Sequence, residues 1–159
     1  MSGPVLTLQP PDPDVFRPFG RLVSPPSEAG QRAFFSDSLY ERPKASTPVL
    51  HVNKVMASKL PLMVDTVERH PFAAQCFFPL DVARYVTLVT PSDSSGAPVL
   101  DKAVGFVIPG TLGVIYHPGV WHLGATVLER PGHFAVLMWR GGKQEDDVFR
   151  SVPPITLTL

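Results

Sequence analysis

Proline sets the terms on which this chain can fold. Nineteen of its 159 residues are proline, scattered from Pro4 to Pro154. Each fixes one backbone angle and removes one N–H donor, so it breaks a helix interior or a central strand. What survives between the prolines must be short. The apolar runs there read as β-strands: Val49–Met56, Met63–His70, Ala74–Leu80, Arg84–Thr90, Ala103–Ile108, Gly113–Tyr116, Ala125–Glu129 and Phe134–Arg140. Pro109-Gly110, Pro131-Gly132 and the stretch Pro91 to Pro98 punctuate them as turns. The first run alternates Leu50, Val52 and Met56 against His51, Asn53 and Val55. The second sets Met63, Asp65 and Val67 against Val64, Thr66, Glu68 and His70. Asp14 is expected to cap a short helix over Val15–Phe19, ended by Gly20. Residues 24–33 read as an irregular loop, and the stretch Gly141 to Asp147 as a solvated one. No long amphipathic helix, repeat or linker interrupts this pattern. The expectation is a mainly β, single domain over residues 1–159, built as a sandwich or barrel.

The balance of residue types narrows the function. Hydrophobic residues make up 44% of the chain and charged residues 18%, with a formal net charge of +0. That composition supports a packed core and argues against a surface made for nucleic acid or anionic lipid. No apolar run approaches the roughly 20 residues that span a bilayer. The start, Met1 to Pro4, shows no secretory signal. Cys76 is the one cysteine, which rules out an intrachain disulfide and fits a reducing, cytoplasmic compartment.

Two segments carry most of the chemistry: Val67 to Pro71 and Tyr116 to His122. Together they hold three of the five histidines. Glu68 and His70 are two apart, so a strand points both to one face and Arg69 to the other. His122 follows a Pro118-Gly119 turn. Titratable groups at strand ends in an apolar β chain suit a pocket in the mouth of a barrel. The same residues also fit plainer roles. Glu68, Arg69 and His70 read equally as an exposed ion-pair cluster. Tyr116, Trp121 and Trp139 read as core aromatics, and Cys76 as a small buried hydrophobe. His51 and His133 have no companions and are assigned no role.

The two segments resemble degenerate forms of the cupin motifs. By that resemblance Glu68, His70, Gln75 and His122 occupy the four metal-ligand positions, and imidazole with oxygen donors suits a divalent first-row metal. The likeness extends through Leu60-Pro61-Leu62, Glu68-Arg69-His70-Pro71, Gln75 with Phe77 to Leu80, Gly113 to His122, and Phe134 with Arg140 to Gly142. Over that span the chain resembles the ureidoglycolate lyase family. The resemblance implies a cupin-like β-barrel with a short N-terminal helix, and cleavage of (S)-ureidoglycolate to glyoxylate and urea in allantoin catabolism. It implies His70, His122 and Glu68 as catalytic residues, and Gln75, Arg69, Tyr116, His117 and Arg140 as substrate-binding ones. It further implies a divalent metal, nickel or manganese, no organic cofactor, and a homodimer whose partner is a small-molecule substrate. Leu123 and Trp139 depart from the family's pattern, where a second histidine and an aspartate are common. The alternatives are a cupin enzyme acting on another small carboxylate and a non-enzymatic binding module.

Overall fold

The computed structural model describes residues 3–143 and 146–159. Met1, Ser2, Gln144 and Glu145, which enter the expectations for the start and for the 141–147 loop, lie outside the described residues. In chain order the strands are β1 (Val5–Thr7), β2 (Gly20–Val23), β3 (Thr47–Val55), β4 (Ala57–Ser58), β5 (Leu62–Arg69), β6 (Gln75–Pro79) and β7 (Arg84–Thr90). They continue with β8 (Val104–Pro109), β9 (Gly113–Tyr116), β10 (Trp121–His122), β11 (Thr126–Leu128), β12 (Gly132–Arg140) and β13 (Val148–Thr158). One short helix, α1, spans Pro13–Phe16. It begins two residues earlier than the sequence suggests. Asp12 supplies the cap, its carboxylate accepting from the N–H groups of Asp14 (2.8 Å) and Val15 (3.4 Å), and Pro13 takes the first helical position, where its missing N–H costs nothing.

The strands form two sheets. The larger runs β1-β13-β5-β10-β7-β11-β4, with β8 on β7; the smaller runs β2-β9-β6-β12-β3. Most pairs are antiparallel; β1 with β13 and β4 with β11 are parallel. The sheets stack as a jelly-roll-like sandwich, one of the two architectures that the strand count allows, and the barrel that the resemblance implies is not closed. Their facing surfaces make the main core. Phe77, Val114, Phe134, Val136 and Met138 come from the smaller sheet, and Tyr85, Val89, Phe106, Ile108 and Val127 from the larger. Phe134 bridges the gap edge-on, 5.7 Å from the Phe77 ring and 5.2 Å from Tyr85. Each such side chain contributes about 1.5–3 kcal/mol by leaving water.

Three departures from the expected strands have physical causes. In β3 the inward positions are Val49 and Val55, while Leu50, Val52 and Met56 stand exposed; β3 is an edge strand whose outer face is uncovered in the monomer. β13 is absent from the expected strands because Pro153-Pro154 sits in its middle. The sheet accommodates the prolines by a bulge in β13, which advances four residues from Ser151 to Ile155 while its partner β5 advances two, from Thr66 to Val64. Val64 and Val67 then pack into one cluster although they are an odd number apart, as do Val152 and Ile155. The alternation slips by one there, so Val64 does not share a face with Glu68.

Candidate active site

The two chemical segments meet. Glu68, near the end of β5, lies directly opposite His122 on β10, which is held on its other side by Val89 of β7. Gln75, at the start of β6, lies opposite Tyr116, at the end of β9, in the other sheet. The site therefore sits between the sheets, with two side chains from each and His70 just beyond β5. Gly119 ties the segments together: its N–H donates to the His70 carbonyl at 2.8 Å, in a turn whose φ of 80° suits glycine.

The centre is almost dry. His122 is 0% exposed, His70 5% and Gln75 6%. His122 Nε2 lies 3.0 Å from Gln75 Oε1 and 3.4 Å from Glu68 Oε1, and its Nδ1 lies 3.0 Å from the Val120 carbonyl. Tyr116 stacks on the same ring and bonds Thr87 through its hydroxyl at 2.7 Å. Burial works against the charge on Glu68, but the hydrogen bond and charge of His122, with the charge of His70, prevail and hold the carboxyl below its ordinary range. Burial drives the Tyr116 phenol well above its usual value, which leaves it a neutral hydroxyl.

His70 completes the centre, its ring 5.7 Å from that of His122. Its Nδ1 meets two acceptors, the Asp146 carbonyl at 2.7 Å and the Asp147 carboxylate at 3.0 Å. Its Nε2 is buried and has no partner among the described residues. An orphaned buried nitrogen is costly unless something uses it. One ligand atom each from Glu68, His70 and His122 lie within 4.8 Å of one another, and Gln75 Oε1 is beside them. Two imidazole nitrogens and two oxygens converging in this way fit a divalent cation, or a proton relay, equally well in donor chemistry.

Other expected residues fall elsewhere. Arg69 faces the opposite side of the sheet, stacked over Trp121 at 4.8 Å and bonded to Ser92 at 3.1 Å. His117 lines a separate surface hollow with Arg17, Arg21 and Asp37. Arg140 pairs with Asp147 at 2.9 Å. Trp121 is a core residue donating to the Gly96 carbonyl, and Trp139 is buried beneath Arg42. Leu123 packs against the second apolar cluster. His133 pairs with Asp81 at the surface, and His51 is exposed on β3. Asp146 and Asp147 escaped the sequence reading because an acidic run after two glycines looks solvated. Only the fold shows them at His70. Beside Pro71 and Phe72 a cavity of about 510 Å³ opens, lined also by Arg42, Lys44 and Lys143.

Stacked sheets around a buried histidine–carboxylate centre define a jelly-roll-like β protein with titratable groups held between the layers. The ureidoglycolate lyase family model matches residues 4–154, and the chain belongs to that family. The ureidoglycolate lyase of Pseudomonas fluorescens strain Pf0-1 is 28% identical over 148 residues, covering 87% of this chain and 86% of that protein. The ureidoglycolate lyase of Escherichia coli strain HS is 29% identical over 159 residues, covering 93% and 94%. Among solved structures, RmlC from Streptococcus suis aligns with 61% of this chain and 45% of its own, at 11% identity and a TM-score of 0.44.

Proposed function

We propose that this chain is a carbon–nitrogen lyase that cleaves (S)-ureidoglycolate to glyoxylate and urea in the breakdown of allantoin. The family membership supports the reaction, and one observation carries its placement: His70 Nε2 is buried and unpartnered among the described residues, on a ring that brings one nitrogen within 4.8 Å of the ligand atoms of Glu68 and His122. The substrate is a carbinolamide. One proton must leave its hydroxyl as the carbonyl forms, the C–N bond must break toward nitrogen, and the departing urea nitrogen must take a proton.

His70 Nε2 offers the free lone pair for the first transfer. His122 is placed for the second: Nδ1 donates to the Val120 carbonyl, and a proton on Nε2 is stabilised by Glu68. Gln75 accepts from His122 through Oε1, which leaves its amide N–H groups to donate to the ureido carbonyl. Tyr116 and the apolar walls keep water out. Arg42, Lys44 and Lys143 around the neighbouring cavity draw an anionic substrate toward the site.

A second use of the same atoms is favoured by their convergence. Glu68, His70, Gln75 and His122 would hold a divalent cation, nickel or manganese, which when bound would polarise the substrate's hydroxyl or carboxylate oxygen. An atom that holds the cation carries no proton at that moment, so metal removal separates the two uses. Turnover retained after dialysis against a chelator assigns proton transfer to the histidines; turnover lost and restored by nickel or manganese assigns them to the cation. The reaction itself is tested by incubating the protein with ureidoglycolate, with and without those ions. Glyoxylate and urea should appear in equal amounts. Ammonia in place of urea would mean a hydrolase. Binding without product would mean a binding module, and neither product nor binding would point to another small carboxylate, with Leu123 and Trp139 as the altered positions. The exposed Leu50 and Val52 of β3 support a homodimer that covers this face, and the single buried cysteine suits the cytoplasm.

A further inference from the structure

We propose that Asp147 is a positioning residue for His70, and that Arg140 serves the site by clamping Asp147 and not by binding substrate. This rests on the reading of His70 as a reacting group. The His70 imidazole presents two nitrogens to different surroundings. Both neighbours of His70 Nδ1 are acceptors, the Asp146 carbonyl at 2.7 Å and the Asp147 carboxylate at 3.0 Å. Neither can give a proton to the ring, so Nδ1 carries one. In the neutral ring the lone pair is then on Nε2, which is buried and has no partner among the described residues, and the ring brings one nitrogen within 4.8 Å of the ligand atoms of Glu68 and His122. Base and ligand both need that lone pair, so the same tautomer serves either use of the site.

The carboxylate is itself held. Asp147 Oδ2 takes a bond from Arg140 NH2 at 2.9 Å while Oδ1 faces His70. One residue earlier, the Asp146 carboxylate accepts the Phe72 N–H at 2.6 Å. The pair of aspartates is thus fastened to the backbone just past His70 and to the end of β12. Arg140 also donates to the Trp139 carbonyl at 3.4 Å. Its guanidinium lies behind His70, on the Nδ1 side, with Asp147 between them.

The test reads the ring directly. Long-range proton–nitrogen spectra of the wild type should show His70 protonated on Nδ1 and bare on Nε2. Asp147→Ala should mix the two tautomers, and Asp147→Asn, which keeps an acceptor oxygen, should restore much of the wild-type pattern. In turnover of ureidoglycolate, Asp147→Ala should lower kcat by about 10- to 100-fold with KM little changed. Arg140→Ala should act in the same direction but less, and the double variant should be no worse than Asp147→Ala within about twofold. A His70 spectrum unchanged in Asp147→Ala overturns the proposal. So does an Arg140→Ala variant that raises KM and adds its effect to that of Asp147→Ala, because that is the behaviour of a substrate-binding arginine. Should Asp147→Ala not fold, Arg140→Ala and Asp147→Asn give the same spectral comparison. If the wild type turns over no ureidoglycolate, the proposed reaction falls while the His70 spectra still decide the role of Asp147.

Discussion

The phenol ring of Tyr116 lies flat on the imidazole of His122, with centroids 4.0 Å apart and planes 11° from parallel. The contact joins the two sheets at the candidate site, and it fixes the His122 ring without using either of its nitrogens. Tyr116→Phe keeps the stack and strands the buried Thr87 hydroxyl. It should cost about 1–3 kcal/mol in urea unfolding and leave turnover within a fewfold of wild type. Tyr116→Ala removes the platform and should cost about 3–5 kcal/mol, by analogy with other buried aromatics. Equal stability of the two variants would show that the stack carries nothing.

His70→Ala and His122→Ala should each lower glyoxylate release at least ~100-fold, the scale of a lost acid or base. Circular dichroism must first show that both variants fold. Arg69→Ala should be milder, since its guanidinium is on the far face of the sheet, and His133→Ala nearly silent. A folded His133→Ala as damaged as His70→Ala would move the site elsewhere.

Gly119→Ala should be destabilising although the added methyl meets no atom within 4 Å. The cost comes from the backbone, whose φ of 80° penalises any L side chain by about 1–2 kcal/mol. Turnover should fall with it, because the Gly119 N–H is what ties the two chemical segments at the His70 carbonyl. Retained stability and activity would mean that this tie is dispensable.

Alkali should destabilise the fold in a set order. Burial pushes the Cys76 thiol from 9.0 up to about 12. Burial also drives the Tyr85 phenol well above 10.0, with the charge of Tyr116 adding to it. A raised folded value means the stabilisation is complete below the unfolded value and is lost as pH rises through the folded one. Stability to urea should therefore decline from about pH 9 toward pH 12, and Cys76→Ala should flatten the first part of that decline. Below pH 9 the thiol should react with a disulfide reagent only as fast as the chain unfolds; fast native labelling would contradict its burial.

The strands that the sequence showed best are those with unbroken apolar runs between turns: Arg84–Thr90 and Gly113–Tyr116 match β7 and β9 residue for residue. A local pattern suffices there because burial on both faces leaves no other reading. β13 stayed hidden because two prolines speak against a strand locally, and only its partner β5 reveals how the sheet absorbs them. The site divides in the same way. Glu68, His70, Gln75 and His122 could be grouped only through the resemblance to the cupin motifs, since spacing alone left Glu68, Arg69 and His70 readable as an exposed ion-pair cluster. Asp147 could not be placed with them, because what makes it matter is a residue 77 positions away, and nothing in a run of acidic residues says what it will face.

The bulge in β13 has a consequence for how the end of the chain tolerates change. Between Ser151 and Ile155 the last strand advances four residues while β5 advances two, from Thr66 to Val64. The surplus is taken up beside Pro153 and Pro154, and the pairing of Phe149 with Glu68 lies beyond it, unbroken. A change of length between Ser151 and Ile155 should therefore be absorbed where the slack already is, and leave Glu68 opposite His122.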